Sequence, residues 1–468
     1  MKLTIELIII INVMQFLNPV NRLPNMEDTS SKLMKINSSV INHLTQLMEL
    51  NGYESSDTPI IEKSDLFLRK SGGNISSRLY QFTDPGGYDV CLRPEFTSAI
   101  TRSILSKKEK NHTPFRLYYY GPVFRYSKPG EEFSDLPRQF NQFGAELIGT
   151  NNFIADSEIT SIAYKIINNL TKYDLKLIIG DVNIIASIVN YFDMSERSKM
   201  YLLESVQDIK TFGVDYVLNN AMKIGLFDNS KISKHFDINE IQTSIDDLKS
   251  KDLFDNTSRT TKEIIERINV KNNQSYDKKS FEKVLKIIYE TILINGDSDN
   301  VLKKICALWK NHKIPINPIN DFYDYIKYVS IMGVPKKDIF IDFGLVKHVS
   351  YYSGIIFNVC SKNDNLILGG GGRYDGLSRD LGFNDISARG FAFDLNKIIS
   401  VSNIKIKTST PIVIRSLDKS DFSKAIKYSE SLKLKGIPCE IDYDENISAK
   451  NKKIIYVKLD GSIKESRL

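Results

Sequence analysis

The sequence predicts an α+β fold built on a mainly antiparallel sheet, and three observations predict it. Alternating segments come in hairpin pairs, such as residues 78–82 and 88–92 around the turn sequence Asp84-Pro-Gly-Gly87. Helical segments interrupt the hairpins without strict strand–helix alternation, which disfavours a doubly wound parallel sheet. No GxGxxG opens a helix after the first strand and no GxxxxGK[ST] occurs, so two common nucleotide-binding designs are absent.

The elements follow in order. Leu33, Ile36, Val40, Leu44 and Leu47 recur at helical spacing across residues 30–50, and Asn51-Gly52 stops that helix. Residues 96–105 read as a second helix. Residues 115–126 and 139–148 read as long strands joined by a polar loop. A helix over 156–170 and a strand over 175–179 come next. From about residue 183 to 338 the chain is rich in Lys, Asp, Asn and Ser, with helical spacing at 200–206, 261–268 and 281–292. That texture predicts a mostly helical insertion, a tolerated surface excursion. Strands resume at 339–343, 355–359 and 365–368, and residues 390–399 run from strand into helix. After a linker at 408–410, residues 411–468 read as strand, helix, strand and strand. The expected organisation is an extension (1–28), a core (29–402) holding the insertion, and a small α/β domain (408–468).

Composition excludes several classes. The chain is 41% hydrophobic and 26% charged, as a soluble globular protein would be. Its net charge of +6 is spread along the whole length and reads as solvated surface, not as a nucleic-acid face. Cys91, Cys306, Cys360 and Cys439 form no CxxC pair, and HExxH is absent, so no metal site is expected. The cysteines are expected to be free thiols in a reducing compartment. The apolar run at 7–17 is shorter than the roughly 20 residues that span a bilayer. Glu6 intrudes before it and no small-residue cleavage site follows. The expectation is an extended or mis-started N-terminus, with Met26 as an alternative start, on a cytoplasmic protein.

Three strings are candidates for chemistry. Leu92-Arg-Pro-Glu-Phe-Thr97 presents Glu95 and Thr97 two residues apart, suited to a substrate ammonium group; the plain alternative is a turn with a helix cap at Thr97. Tyr118-Tyr-Tyr-Gly-Pro-Val-Phe-Arg125 and Arg138-Gln-Phe-Asn-Gln-Phe-Gly-Ala-Glu146 place Arg125 and Arg138 on two joined strands, where guanidinium forks suit phosphate. Gln142 and Glu146, four apart, share one strand face. Glu146 on a pocket wall would pair with a cation or an imidazole N–H. Tyr351-Tyr352-Ser-Gly354 could wall a flat ring, and Gly369-Gly-Gly-Gly-Arg-Tyr-Asp-Gly-Leu377 permits close backbone approach; glycine runs are also common in plain turns.

Together these strings resemble the signature segments of the histidyl-tRNA synthetase family, in the same order, over roughly residues 30 to 400. The resemblance implies a class II aminoacyl-tRNA synthetase-like antiparallel sheet flanked by helices, usually dimeric. It implies that Glu95, Thr97, Gln142, Glu146, Tyr351 and Tyr352 line a histidine pocket, and that Arg125 corresponds to the arginine meeting the ATP α-phosphate.

The match breaks in the nucleotide half. The family's Phe-Arg-x-Glu becomes Phe124-Arg-Tyr-Ser127. The Arg of its Leu-Val-Arg becomes Lys347, and the ATP-clamping Arg after the last strand becomes Lys397 in Phe393-Asp-Leu-Asn-Lys-Ile398. Lysine keeps the charge but loses the bidentate fork, which weakens transition-state electrostatics. The C-terminal segment is also short for an anticodon-binding domain. This pattern resembles the paralogous ATP phosphoribosyltransferase regulatory subunit family of histidine biosynthesis. That family implies histidine as an allosteric ligand, no cofactor, and a homodimer within a complex with a short-form catalytic phosphoribosyltransferase. Arg125, Arg138, Lys347 and Lys397 are then a vestigial phosphate site. The alternative is a divergent active histidyl-tRNA synthetase, with tRNA as partner.

Overall fold

The computed structural model describes residues 20–69, 76–106, 114–127, 136–226, 278–345, 352–402, 410–418, 422–444, 453–458 and 460–465. Lys347, Tyr351 and the expected helix at 261–268 lie outside the described residues. The chain divides into two compact units, Met1–Asn403 and Ile404–Leu468.

Helix α1 (Ser31–Leu50) begins where the Ser30 hydroxyl accepts the Leu33 N–H, and it gives way to Gly52 at φ +77°. Its buried face is Val40, Leu44 and Met48. The expected stripe through Leu33 and Leu47 is therefore rotated, because only the second half of the helix reaches the core. After β1 (Glu54–Ser55), a three-stranded sheet forms from β2 (Ile61–Lys63), β3 (Tyr80–Thr83) and β4 (Asp89–Leu92) in the order β2-β4-β3. The β3–β4 turn is built as its sequence requires. Asp84 accepts the Tyr88 N–H through its side chain at 2.8 Å, and Gly87 takes φ +82°.

Arg93 follows β4 and is almost fully buried. It donates to the Pro122 carbonyl (3.0 Å), to Asp57 (2.9 Å) and to the Thr58 carbonyl, and its guanidinium lies 3.9 Å from the Phe96 ring centroid. A side chain at Gly121 would fall 2.8 Å from the same guanidinium. This one residue thus anchors the turn before α2 (Thr97–Ser106) to the long strand β5 (Phe115–Phe124).

β5 pairs with β6 (Gln139–Ile148), and α3 (Phe153–Leu170) then crosses behind the sheet against β6 and three later strands. These belong to a sheet completed by β7 (Leu175–Asp181), β8 (Asn295–Asp297), β9 (Ile339–Asp342), β10 (Ile355–Ser361), β11 (Ile367–Arg373) and β12 (Ala388–Asp394). The nine strands run β1-β5-β6-β12-β11-β10-β7-β9-β8, and every pairing is antiparallel except β1–β5 and β7–β9. The sheet is mainly antiparallel, as the hairpins foretold.

Two local expectations are corrected. The glycine run Gly369 to Gly372 is no turn but the body of β11, beyond the strand expected at 365–368. Its neighbours occupy the space side chains would need: a Cβ at Gly370 would lie 2.7 Å from the Phe357 carbonyl oxygen, and one at Gly371 would strike the Gly390 carbonyl. The insertion, in turn, is more than a surface excursion. Its described helices are α4 (Val182–Tyr191), α5 (Glu196–Glu204), α6 (Val206–Phe212), α7 (Val214–Lys223), α8 (Lys278–Leu293), α9 (Ser298–Asn311) and α10 (Asn317–Ile331). It also supplies β8, which extends the sheet beside β9. α10 docks on α3 through small hydroxyls: Ser157 and Ser161 donate to the Tyr325 and Val329 carbonyls, and Tyr325 donates to Thr160 at 2.8 Å.

α11 (Leu395–Ser400) continues β12. The second unit has β13 (Ile412–Ser416), α12 (Ser423–Leu434), β14 (Cys439–Ile441), β15 (Ile454–Val457) and a short β16 (Ile463–Glu465), ordered β14-β13-β15-β16 around Ile414, Ala425, Leu432 and Val457. β16 is too short and charged to be read from periodicity. Among the described residues, no helix is long and apolar enough to cross a membrane, and no His, Cys, Asp and Glu group is arranged to hold a metal ion.

Arg93→Met should destabilise the chain by about 3 kcal/mol, because it leaves the Pro122 and Thr58 carbonyls buried without a donor. Chemical denaturation followed by circular dichroism checks this; a loss under about 1 kcal/mol, the size of one ordinary hydrogen bond, would remove Arg93 from its anchoring role.

Candidate functional site

The site grows from β6. Gln142 and Glu146 share a face, as their spacing required. Gln142 lies between Gly121 on β5 and Asp394 on β12, and Glu146 lies between Leu117 and Gly390. Gly390 has no side chain, and the Glu146 carboxylate occupies the place where one would be. Two residues earlier on the same face, Gly144 makes room for Tyr119, whose ring carbon Cζ lies 2.6 Å from where a Cβ would stand. The sheet is hollowed at both points so that polar groups can enter it.

Glu146 is only 1% exposed. Tyr119 donates to its Oε1 at 2.9 Å, Tyr374 donates to its Oε2, and the Thr97 hydroxyl bonds it as well. Burial pushes the carboxyl up to about 7; the hydrogen bonds from Tyr374, Thr97 and Tyr119 pull it down, and the Glu95 charge adds to the rise. Glu95 is also buried, and its two oxygens accept the Ser98 N–H at 3.1 and 3.2 Å. The helix cap considered for Thr97 is therefore made by Glu95. Thr97 is instead the first residue of α2, with its hydroxyl turned to Tyr119 and Glu146.

The Tyr352 ring lies against Gly372, with Cδ1 and Cε1 2.9 Å from where a Cβ would be. Burial, Glu146 and Glu95 all push its hydroxyl pKa up, so it stays a hydrogen-bond donor. The Gln142 Oε1 is buried with no hydrogen-bond partner. A buried acceptor left open on the strand face that also carries Glu146 suits a ligand rich in N–H donors. Structure therefore brings together Glu95, Thr97, Glu146 and Tyr352, and places Gln142 farther along the same face of β6. It adds Tyr119 and Tyr374, which were inside the strings already singled out. Strand alternation makes Tyr119 face opposite to Tyr118 and Tyr120, but the sequence did not say which face is the pocket.

The residues expected at the phosphate end are placed differently. Arg125 is half-buried, donates from Nε to the Pro94 carbonyl (2.9 Å) and lies 5.0 Å from the Phe140 ring centroid. Burial lowers its pKa and so does Arg78, while Glu95 and Asp394 act to raise it. The Asp394 carboxylate accepts the Lys397 N–H at the start of α11. Ser127 is buried and accepts from Arg78 at 3.1 Å. Arg138 lies 5.2 Å from the Tyr126 ring centroid, with its buried Nε unpartnered. The Lys397 ammonium donates to the Ile367 carbonyl. Asp394 and Arg78 are the residues that sequence reasoning did not single out; neither had a pattern of its own.

A mostly antiparallel sheet backed by helices, with this pocket on its central strands, defines a class II aminoacyl-tRNA synthetase-like protein. The pattern described as "Histidyl-tRNA synthetase" matches residues 25–398, and the chain belongs to that family. Histidine–tRNA ligase of Metallosphaera sedula is 27% identical over 426 residues, covering 89% of this chain and 83% of that one. The Sulfolobus acidocaldarius ligase is 29% identical over 359 residues, covering 76% and 69%. Among solved structures, a Bacillus halodurans ATP phosphoribosyltransferase regulatory subunit/histidyl-tRNA synthetase has a TM-score of 0.66 at 17% identity, covering 94% of this chain and 99% of that one. A histidyl-tRNA synthetase from a Nostoc species has a TM-score of 0.64 at 16% identity, covering 96% and 97%.

Two outcomes follow from Glu146. Its folded pKa of about 7 lies above the ordinary 4.5, so the folded state holds the proton more tightly. For this group, stability is highest below about 4.5, falls as pH rises toward about 7 and is flat above, a span on the order of 3 kcal/mol. Glu146→Gln should therefore raise the melting temperature of the ligand-free protein more on the alkaline side of this window than on the acid side; equal shifts at both ends would refute the buried-charge assignment. Gly390→Ala should cost roughly 1–3 kcal/mol, since its methyl meets the carboxylate inside a packed sheet. Thermal unfolding at wild-type temperature would contradict that slot.

Proposed function

We propose that this chain is a non-catalytic regulatory subunit of ATP phosphoribosyltransferase, which binds histidine and mediates activation and feedback inhibition of the first step of histidine biosynthesis. The observation carrying this reading is the contrast between the two halves of the site. At the pocket end, Glu95, Thr97, Gln142 and Glu146 are all buried, and the Thr97 hydroxyl bonds Glu146, which supports a kept acceptor-rich site. At the phosphate end, Arg125 faces the carboxylates of Glu95 and Asp394, and Ser127 stands in place of the family's glutamate beside Arg78. A carboxylate next to the one arginine expected to meet an α-phosphate opposes binding of a polyanion. Lys347 and Lys397 lack the fork that grips two phosphate oxygens at once.

The Glu146 carboxylate would accept an imidazole N–H, and Gln142 and Glu95 would meet the α-ammonium. The partner in this reading is a short-form catalytic phosphoribosyltransferase, bound by a homodimer of this chain. Bound histidine shifts the balance between active and inhibited assemblies, and the partner must change histidine affinity by the same factor.

A second reading, a divergent histidine–tRNA ligase, is favoured by the names of the curated relatives. Histidine-dependent ATP–pyrophosphate exchange separates the two. The regulatory reading expects histidine to bind without ATP and no exchange; robust exchange would falsify it. Glu146→Ala should weaken histidine binding by roughly 10- to 150-fold in calorimetry, the loss expected for a hydrogen bond to a charged group. Unchanged affinity would remove Glu146 from the pocket.

A further inference from the structure

The insertion converges on one residue of the core, Asp342. Lys210 on α6 donates to Asp342 Oδ2 at 2.7 Å. On the other side, Asn295 of β8 is the register partner of Asp342. Phe322 of α10 meets the next residue, Phe343, with ring centroids 5.2 Å apart. Three separate parts of the insertion therefore hold the end of β9.

That end is a tight turn. Asp342 Oδ1 accepts the Gly344 N–H at 2.9 Å, and its carbonyl accepts the Leu345 N–H at 3.0 Å. Two glycines leave room for it. A Cβ at Gly180 on β7 would lie 2.8 Å from the Asp342 carbonyl oxygen, and one at Gly344 would lie 2.9 Å from Lys210 Cδ. Lys210 thus lies across the turn itself, with no space for a side chain between. The same strand β7 ends at Asp181, the register partner of Ile355, and the Val182 N–H donates to the Gly354 carbonyl, two residues past Tyr352, whose ring packs on Gly372 in the pocket.

We propose that Lys210 is a positioning residue: its ion pair with Asp342 latches the insertion to the turn packed on β7, the strand that also holds the start of β10 beside Tyr352, and so couples the insertion to ligand affinity. The coupling to histidine rests on the proposed function; the latch itself does not. Asp342 carries two loads with its two oxygens, one inside the turn and one toward Lys210. Losing Lys210 frees the second oxygen and leaves the turn held from one side fewer. Any partner that moved α6 would act on the pocket through the same contact.

The test uses the full chain with Lys210→Met and Lys210→Arg. Lys210 is partly exposed, so neither change threatens the fold. Hydrogen exchange of peptides covering residues 342–355 reads the turn directly, and calorimetry with histidine reads the pocket. Lys210→Met should speed exchange in those peptides and weaken histidine binding by roughly three- to tenfold. Lys210→Arg should restore both. In roughly 1 M salt, where the screening length is about 3 Å, wild-type affinity should fall toward that of Lys210→Met, which should itself change little. Unchanged exchange overturns the proposal, and so does faster exchange with wild-type affinity. Should the wild-type chain bind no histidine, the functional reading fails, and exchange alone then decides whether the latch exists.

Discussion

Glu146 is a carboxylate held inside a sheet, and much of the molecule is arranged to let it stay there. A strand normally fills the space over its neighbour with side chains, but Gly390 leaves that space empty and the carboxylate enters it. Two tyrosine hydroxyls, from Tyr119 on β5 and Tyr374 after β11, close on its oxygens from different strands. The carboxyl nevertheless carries a raised pKa, because hydrogen bonds do not fully replace water. Natural sites often hold such unfavourable groups for binding, and the rest of the fold must compensate. Here the compensation is the apolar layer of α1, α3 and the sheet interior, including Val40, Leu44, Ile159 and Ile167, all buried.

Glu146 and Gln142 share a strand but lie at different heights in the sheet. Glu146 pairs with Gly390, whereas Gln142 pairs with Asp394. Four residues along a strand amount to roughly 13 Å. That separation sets Asp394, at the Gln142 level, apart from the acceptors around Glu146. Arg125 is held by the Pro94 carbonyl and Phe140, and the charges it faces, Arg78, Glu95 and Asp394, all belong to its own chain. A guanidinium partnered in this way is a structural tie as much as a ligand site.

The insertion takes part in the same architecture. By giving β8 to the sheet edge and stacking α10 on the hydroxyl-bearing face of α3, it becomes continuous with the layer behind the pocket. Lysine and asparagine enrichment describes its outer surface; the inner faces of α8, α9 and α10 carry Phe281, Ile288, Trp309 and Phe322, all buried. Helical periodicity found α8, but no local signal announced that Asn295 would pair with Asp342.

The sequence by itself determined the long hairpin of β5 and β6, the turn at Asp84, the helices flanking them and the sharing of one face by Gln142 and Glu146. These depend on local rules: strand alternation, helical spacing and turn chemistry act within a few residues. It determined the family strings for the same reason, since they are contiguous. Only the tertiary structure decided that the glycines of β11 lie in a strand, that Glu95 and not Thr97 caps α2, that Tyr119 and Tyr374 serve the carboxylate, and that Asp394 faces Arg125. All but the Glu95 cap, a contact three residues long, join residues far apart in the chain, and a glycine or an aspartate shows its role only when the neighbouring strand is in place.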